Sequence, residues 1–194
     1  MSTNASMSAL PDDLLRVIGR IAAASAVLEG TLRTTLAAIA NLDDGLIILE
    51  GQSIDWLIQN SIAAIDDFPS NHRLSSPGHS LRDLLKSAEH LKNDRNIVVH
   101  GEWRTRCTFS NASDPQGCKP RSPQTLLSDR TFHVLRSRYR RNTEESCWSL
   151  DELHTLAESI RALELELRKI CRDDLHSAYV TKWNCPLPVW EEEV

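Results

Sequence analysis

The feature that most constrains the fold is a regular apolar seam in the last quarter of the sequence. Its members step by three and four residues, the spacing of one face of a helix: Leu153, Leu156, Ile160, Leu163, Leu167 and Ile170. A capping box precedes it, with Ser149 as the N-cap and Glu152 at the third helical position. The pattern predicts a long helix packed against another long helix, in the same chain or in a second copy.

Three earlier segments also show helical spacing. The first begins at Pro11, whose ring suits the first helical turn, and runs to about residue 40. The second covers residues 46–65, and the third covers residues 80–100, where Gly101 is placed to end the helix as a C-cap. We therefore predict a mainly α fold built on a four-helix bundle.

The pattern changes between the third and fourth helices. Residues 103–109 alternate in the period of a strand, residues 131–141 do so less regularly, and residues 110–129 have the composition of a long loop. We predict a single domain over residues 1–194, with a β-hairpin insertion at about residues 102–148. An extended tail is expected over residues 178–194.

Positive charge is concentrated in this insertion. Residues 95–141 contain ten basic and three acidic side chains, whereas the whole chain has a net charge of −5. A cationic patch on an acidic chain favours a local polyanion site, although a solvated basic hairpin has the same composition. The arginines of the two predicted strands form a candidate phosphate-binding ribbon, with a charge-protected strand edge as the alternative: Arg104, Arg106, Arg136, Arg138 and Arg140.

Several classes of protein are disfavoured. No apolar stretch approaches the ~20 residues that span a bilayer, and the polar, acidic start lacks the pattern of an export signal. The five cysteines are odd in number and contain no CxxC pair, which favours free thiols in the cytoplasm. Phosphate-binding glycine loops and HExxH, GxSxG and two-metal signatures are missing, so we expect neither a metal nor a cofactor.

The end of the third helix carries the remaining candidate chemistry. Arg95, Asn96 and His100 match, one for one, the Arg, polar residue and His of the HEPN ribonucleases, and the chain resembles the HEPN superfamily in this motif. Some HEPN toxins carry a tyrosine two residues after the His, where this sequence has Glu102. The resemblance implies a helical bundle that pairs as a homodimer and acts on RNA as an endoribonuclease of the toxin or defence type. It also implies a possible antitoxin partner resembling a nucleotidyltransferase.

The three residues suit metal-independent RNA cleavage. His100 would act as general base or acid on the ribose 2′-hydroxyl or the leaving oxygen, and Arg95 would hold the phosphate. Asn96 would orient His100 or the phosphate by hydrogen bonding, and Arg104, Arg106, Arg136, Arg138 and Arg140 would bind the RNA backbone. Because Arg95 lies ~140° around the helix from His100, we expect one helix not to close a pocket, so that two copies share the site.

Two alternatives remain open. In the first, the chain is a non-catalytic HEPN-like module for RNA binding or protein interaction. His100 would then be only a residue of the last helical turn, where the helix dipole favours histidine. Arg95 would pair with Asp94 or Glu89 or lie in solvent. In the second, the chain is a structural dimerisation domain built on the seam of residues 153–170.

Overall fold

The chain is mainly helical, as the apolar spacing predicts. The computed structural model describes residues 10–40, 42, 45–67, 75–76, 79–105, 119–128, 130–136 and 144–175. In chain order its α-helices are α1 (Asp12–Ala40), α2 (Gly45–Ile48), α3 (Ile54–Asp67), α4 (Leu81–His100) and α5 (Leu150–Ile170). A 3-10 turn covers Pro123–Leu127, and a π-helical turn covers Cys171–Leu175.

The described strands form two sheets. Strands β1 (Ser75–Ser76) and β2 (His79–Ser80) make a short antiparallel pair. The larger sheet has the order β3-β5-β6-β4, in which β5 pairs antiparallel with β3 and β6, and β4 pairs parallel with β6. Its strands are β3 (Glu102–Arg104), β4 (Lys119–Pro120), β5 (Thr131–Arg136) and β6 (Glu144–Ser149).

The insertion is therefore more than the predicted two-stranded hairpin. Strand β4 lies in the predicted loop, and β6 covers six residues that no strand pattern marks, because only Trp148 among them is large and apolar. Strand β4 pairs with β6 across the whole of β5 in the sequence, and such a non-local pairing leaves no trace in local periodicity. Residues 106–118, residues 137–143 and the predicted tail at 178–194 lie outside the described residues.

The predicted second helix is divided into two. Helix α2 ends at Ile48 and α3 begins at Ile54. Gly51 lies between them with φ of 74°, a left-handed conformation that glycine adopts without the steric penalty of a side chain. The apolar spacing runs across this turn, so periodicity alone merges the two helices.

The chain is organised in two compact units, each assembled from distant parts of the sequence. One comprises residues 1–24 and 93–159, and the other comprises residues 25–92 and 160–194. We name them the sheet unit and the helical unit. Helices α1, α4 and α5 each contribute residues to both.

In the sheet unit, one face of the larger sheet is buried. Phe132 stands opposite Trp148, and Val134 stands opposite Trp103, so these four side chains share a face. Phe132, Val134 and Trp148 are almost fully buried. The core of this unit also contains side chains from α1, α4 and α5: Leu14, Val17, Ile21, Val98, Leu153 and Leu156.

In the helical unit, α1 and α5 run side by side in the same direction. Oγ1 of Thr31 donates to Oε1 of Glu164 at 2.9 Å, and Oγ1 of Thr35 lies 3.0 Å from Sγ of Cys171. Every residue of the seam is buried, including Ile160, Leu163, Leu167 and Ile170 in this unit. The seam is therefore buried as predicted, and α5 lies beside a long helix of the same chain.

The structure also bears on the predicted state of the cysteines and on the search for a membrane-spanning helix. Cys147 is disulfide-bonded, so the expectation of free thiols is wrong at this position, whereas Cys171 is free. Spacing along the sequence could not show this, because it does not report which sulfur atoms approach each other. Among the described helices, none combines the length and apolar character that crossing a bilayer requires.

Candidate functional site

Arg95, Asn96 and His100 lie on the last turns of α4, where the sequence places them. The final carbonyls of a helix lack intrahelical partners, and one of them is satisfied here by a side chain. Nε1 of Trp103 donates to the carbonyl oxygen of Val98 at 2.8 Å. Because Trp103 belongs to β3, this bond attaches the first strand of the insertion to the helix end that carries the candidate residues.

Gly101 has a role that differs from the predicted one. The glycine with positive φ among the described residues is Gly51, so Gly101 does not adopt the left-handed conformation of a typical C-cap glycine. Its amide donates to the carbonyl oxygen of Ile97 at 2.9 Å, and a Cβ atom here would collide with the side chain of Val134. Glycine is needed because β5 passes close to the helix end.

The structure brings the three motif residues together. Nη1 of Arg95 donates to Oδ1 of Asn96 at 2.9 Å and lies 3.3 Å from Nε2 of His100. The angle of ~140° between the two helix positions therefore does not keep the guanidinium away from the imidazole. The long arginine side chain reaches around the helix, which an argument from Cβ directions does not take into account.

The contact between Arg95 and His100 limits the state of the imidazole. A guanidinium only donates hydrogen bonds, so Nε2 must accept and must carry no proton. The neutral ring then has its hydrogen on Nδ1. A hydrogen on Nε2 would point at the guanidinium and remove this hydrogen bond.

Burial differs among the three side chains. His100 is exposed, whereas Arg95 and Asn96 are half-buried. Nε of Arg95 is buried and has no hydrogen-bond acceptor in the described part of the chain. A buried donor without an acceptor costs free energy, of order 1–3 kcal/mol. The site thus exposes an imidazole and keeps part of the neighbouring guanidinium below the surface.

The two ion pairs considered for Arg95, with Asp94 and with Glu89, are not formed. Asp94 pairs with Arg121, and Glu89 accepts a hydrogen bond from Nε2 of Gln59 at 2.8 Å. Within the described residues no carboxylate pairs with Arg95, whose hydrogen-bond partners are Asn96 and His100.

The predicted arginine ribbon is not formed by the arginines that can be placed. Arg104 stands opposite His133, and Arg136 follows Val134 on the other face of β5, so Arg104 and Arg136 lie on opposite faces of the sheet. Arg104 also donates from Nε and Nη2 to Oε1 of Glu102, at 3.0 and 2.7 Å. Three other predicted members lie outside the described residues: Arg106, Arg138 and Arg140.

Sequence reasoning missed Arg121. Its guanidinium forms an ion pair with Asp94, the residue directly before Arg95, and lies over the ring of Trp148 at 5.4 Å. Arg121 falls in the segment predicted to be a loop, 27 residues from Asp94. The only signal was its membership of the basic block, which does not distinguish one arginine from another.

Shifted pKa values occur on other elements. Burial lowers the pKa of His133, and the carboxylate of Glu145, 3.9 Å away, partly offsets that effect. Sγ of Cys147 lies 3.4 Å from Nδ1 of the same ring. Burial in the sheet unit therefore favours the uncharged form of the His133 ring. The described residues contain no group of three or more His, Cys, Asp or Glu side chains that could hold a metal ion.

Comparisons of the chain with protein-family models, with curated proteins and with solved structures find no significant match.

Proposed function

We propose that the chain is a metal-independent endoribonuclease with Arg95, Asn96 and His100 as its active-site residues. The contact of 3.3 Å between Nη1 of Arg95 and Nε2 of His100 carries the proposal. It joins a phosphate-binding cation to a group suited to proton transfer, in the order that resembles the HEPN ribonucleases. The exposure of His100 makes the imidazole accessible to a substrate.

The reaction divides between these residues. His100 accepts the proton of the ribose 2′-hydroxyl, whose oxygen attacks the adjacent phosphorus while the 5′-oxygen leaves and takes up a proton from water. The products are a 2′,3′-cyclic phosphate and a 5′-hydroxyl end. Arg95 stabilises the charge that develops on the phosphate oxygens, since a guanidinium pairs with them through two parallel hydrogen bonds. Asn96 holds Arg95, consistent with the hydrogen bond of 2.9 Å between them.

The proposal also includes a homodimeric assembly and a toxin or defence role. A homodimer would place two such pairs around one RNA phosphate, with the basic insertion beside it. The resemblance to HEPN proteins suggests a cytoplasmic toxin or defence nuclease with a nucleotidyltransferase-like antitoxin. Induced expression should then arrest growth, and Arg95→Ala, if it folds, should relieve the arrest. Growth arrest by the folded Arg95→Ala protein equal to that of the wild type would contradict the toxin role.

The decisive experiment is cleavage of an RNA oligonucleotide in excess EDTA by purified wild type and His100→Ala. The wild type should yield 2′,3′-cyclic phosphate ends and leave the matching DNA intact. His100→Ala should be slower by about 10²–10⁴-fold, the usual contribution of general acid–base catalysis. His90→Ala is the matched control, because His90 is an exposed histidine of the same helix.

Two results would overturn the catalytic assignment. One is intact RNA after incubation with the wild type. The other is equal cleavage by wild type and His100→Ala, which would point to a contaminating nuclease. Intact RNA together with salt-dependent RNA binding would favour the non-catalytic module. A stable dimer indifferent to RNA would favour a dimerisation domain built on another surface, because the seam of residues 153–170 is already buried within one chain.

A further inference from the structure

Arg121 is held in place by three independent contacts. Its backbone amide donates to the carbonyl oxygen of Cys147 at 3.0 Å, extending the pairing of β4 with β6 by one residue. Its guanidinium lies over the buried ring of Trp148, at 5.4 Å from the centroid, and pairs with the carboxylate of Asp94. A guanidinium over an indole gains cation–π attraction while its edge remains available for a carboxylate.

The segment that carries Arg121 is itself anchored to α5. Oγ of the next residue, Ser122, donates to Oε1 of Glu152, and Oγ1 of Thr125 donates to the same oxygen at 2.7 Å. Glu152 is fixed in turn by the capping box at Ser149. Contacts therefore run without a break from the start of α5 through the 3-10 turn to Arg121.

The far end of this series lies at the candidate site. The side chain of Asp94 is only 20% exposed, so its ion pair with Arg121 is better shielded from water than a fully exposed pair. Asp94 directly precedes Arg95 in the same helical turn. Trp103 contacts the motif itself, through the carbonyl oxygen of Val98, which lies between Arg95 and His100 in the sequence. The insertion thus contacts α4 at two points, directly before Arg95 and within the motif.

From this arrangement we infer that Arg121 is a positioning residue, which orients the turn of α4 carrying Arg95 so that its guanidinium meets His100. The effect of Arg121 on catalysis rests on the proposed function. The inference extends that function by making the insertion a part of the site. Arg121 acts indirectly, because it pairs with Asp94, the residue next to Arg95.

The chain offers a closely matched control at Arg130. Its guanidinium also pairs with one carboxylate, Asp13, and also lies over one aromatic ring, Phe132, at 5.6 Å. Asp13 belongs to α1, however, and not to the turn of α4 that carries the motif. Comparing Arg121→Ala with Arg130→Ala therefore separates loss of an ion pair and a ring contact from loss of positioning.

Two readouts test the inference. In RNA cleavage in EDTA, Arg121→Ala should lower kcat by about ten- to a hundredfold with KM changed less than threefold, because misplaced groups slow chemistry more than binding. Arg121→Lys keeps the charge beside Asp94 and should recover part of kcat. In NMR spectra of ¹⁵N-labelled protein, Arg121→Ala should shift the ring nitrogens of His100. Arg130→Ala should leave both kcat and these ring signals unchanged.

The outcomes distinguish this inference from the proposed function. If wild type does not cut RNA but Arg121→Ala alone shifts the His100 ring signals, the positioning role stands and the nuclease proposal fails. If wild type cuts RNA and Arg121→Ala behaves like Arg130→Ala in both readouts, the inference is wrong. Should Arg121→Ala fail to fold, Asp94→Asn removes the ion pair from the other side and should shift the same signals; unchanged signals there would overturn the inference.

Discussion

A Cβ atom on Gly101 would stand 2.1 Å from Cγ2 of Val134, closer than any two carbon atoms can approach without bonding. The same atom would lie 2.5 Å from the carbonyl oxygen of Ile97. The residue after His100 is therefore limited to glycine by the strand packed against it. This close approach fixes where the chain turns from α4 into the sheet.

Gly101→Ala should destabilise the protein by about 1–3 kcal/mol, the usual cost of forcing an extra methyl group into a packed interior. Val134 is fully buried and has little room to move. Urea denaturation followed by circular dichroism measures the effect. Gly19→Ala is the control, because Gly19 lies inside α1 with no atom within 4 Å of the new methyl group. It should stabilise the protein by up to about 1 kcal/mol, and a similar gain for Gly101→Ala would contradict the packing shown here.

Arg95→Lys should lower kcat/KM for RNA by roughly 10²–10³-fold, although it preserves the positive charge. An ammonium group cannot offer a phosphate the paired donors of a guanidinium, and stabilising transition-state charge is typically worth this much. Initial rates of oligonucleotide cleavage in EDTA test it. Arg82→Lys, at an exposed position of the same helix, should change the rate less than twofold. Equal activity of Arg95→Lys and wild type would exclude bidentate phosphate binding by Arg95.

The contribution of Glu152 to stability should depend on pH. Burial raises the pKa of this carboxyl, but hydrogen bonds from Ser122, Ser149 and Thr125 together outweigh burial and lower it below its ordinary value of 4.5. Because the folded-state pKa is depressed, the stabilisation is present above pH 4.5 and is lost as pH falls through the folded value.

Denaturation of wild type and Glu152→Gln from pH 7 to pH 3 measures this contribution. The difference in unfolding free energy should be constant near neutrality and shrink below about pH 4.5. Thr125→Val removes one of the donors and should weaken the pH dependence. A difference that stays constant down to pH 3 would show that the hydrogen bonds do not favour the ionised form.

Cys171 should be an unreactive thiol in the folded protein. Burial raises its pKa to about 11, an effect that its contact with Thr35 only partly offsets, and the thiolate is the reactive form. Labelling with a disulfide reagent at pH 8, followed by peptide mapping, should modify Cys171 slowly in buffer and rapidly in urea. Rapid labelling in buffer would contradict its burial. The peptide containing Cys147 should accept label only after reduction, because this cysteine is disulfide-bonded.

Features decided by short stretches of chain were predictable from the sequence. Helix α5 begins at its capping box, where the amide of Ser149 donates to Glu152 at 2.8 Å and the amide of Glu152 donates back to Oγ of Ser149 at 3.2 Å. The seam that follows is buried as predicted. The end of α4 at His100 was also placed correctly, because helix spacing and a following glycine are local signals.

Features that depend on the partner of a residue were not predictable. The sequence pattern groups Arg104 and Arg136 in one ribbon, but the register of β3 on β5 puts them on opposite faces of the sheet. The sequence of one strand does not determine its register on another. The contact of Arg95 with His100 depends on side-chain conformation, and the ion pair of Arg121 depends on a distant residue. The motif was enough to select the three candidate residues, whereas the contacts that surround them could be found only from the fold.

Strand β6 passes into α5 without an intervening residue, since Ser149 both closes the strand and caps the helix. The insertion is consequently not a cassette that can be excised by joining α4 to α5. Any shortened version must supply a new serine, threonine, aspartate or asparagine directly before Leu150. Without such an N-cap, the first turn of α5 would fray.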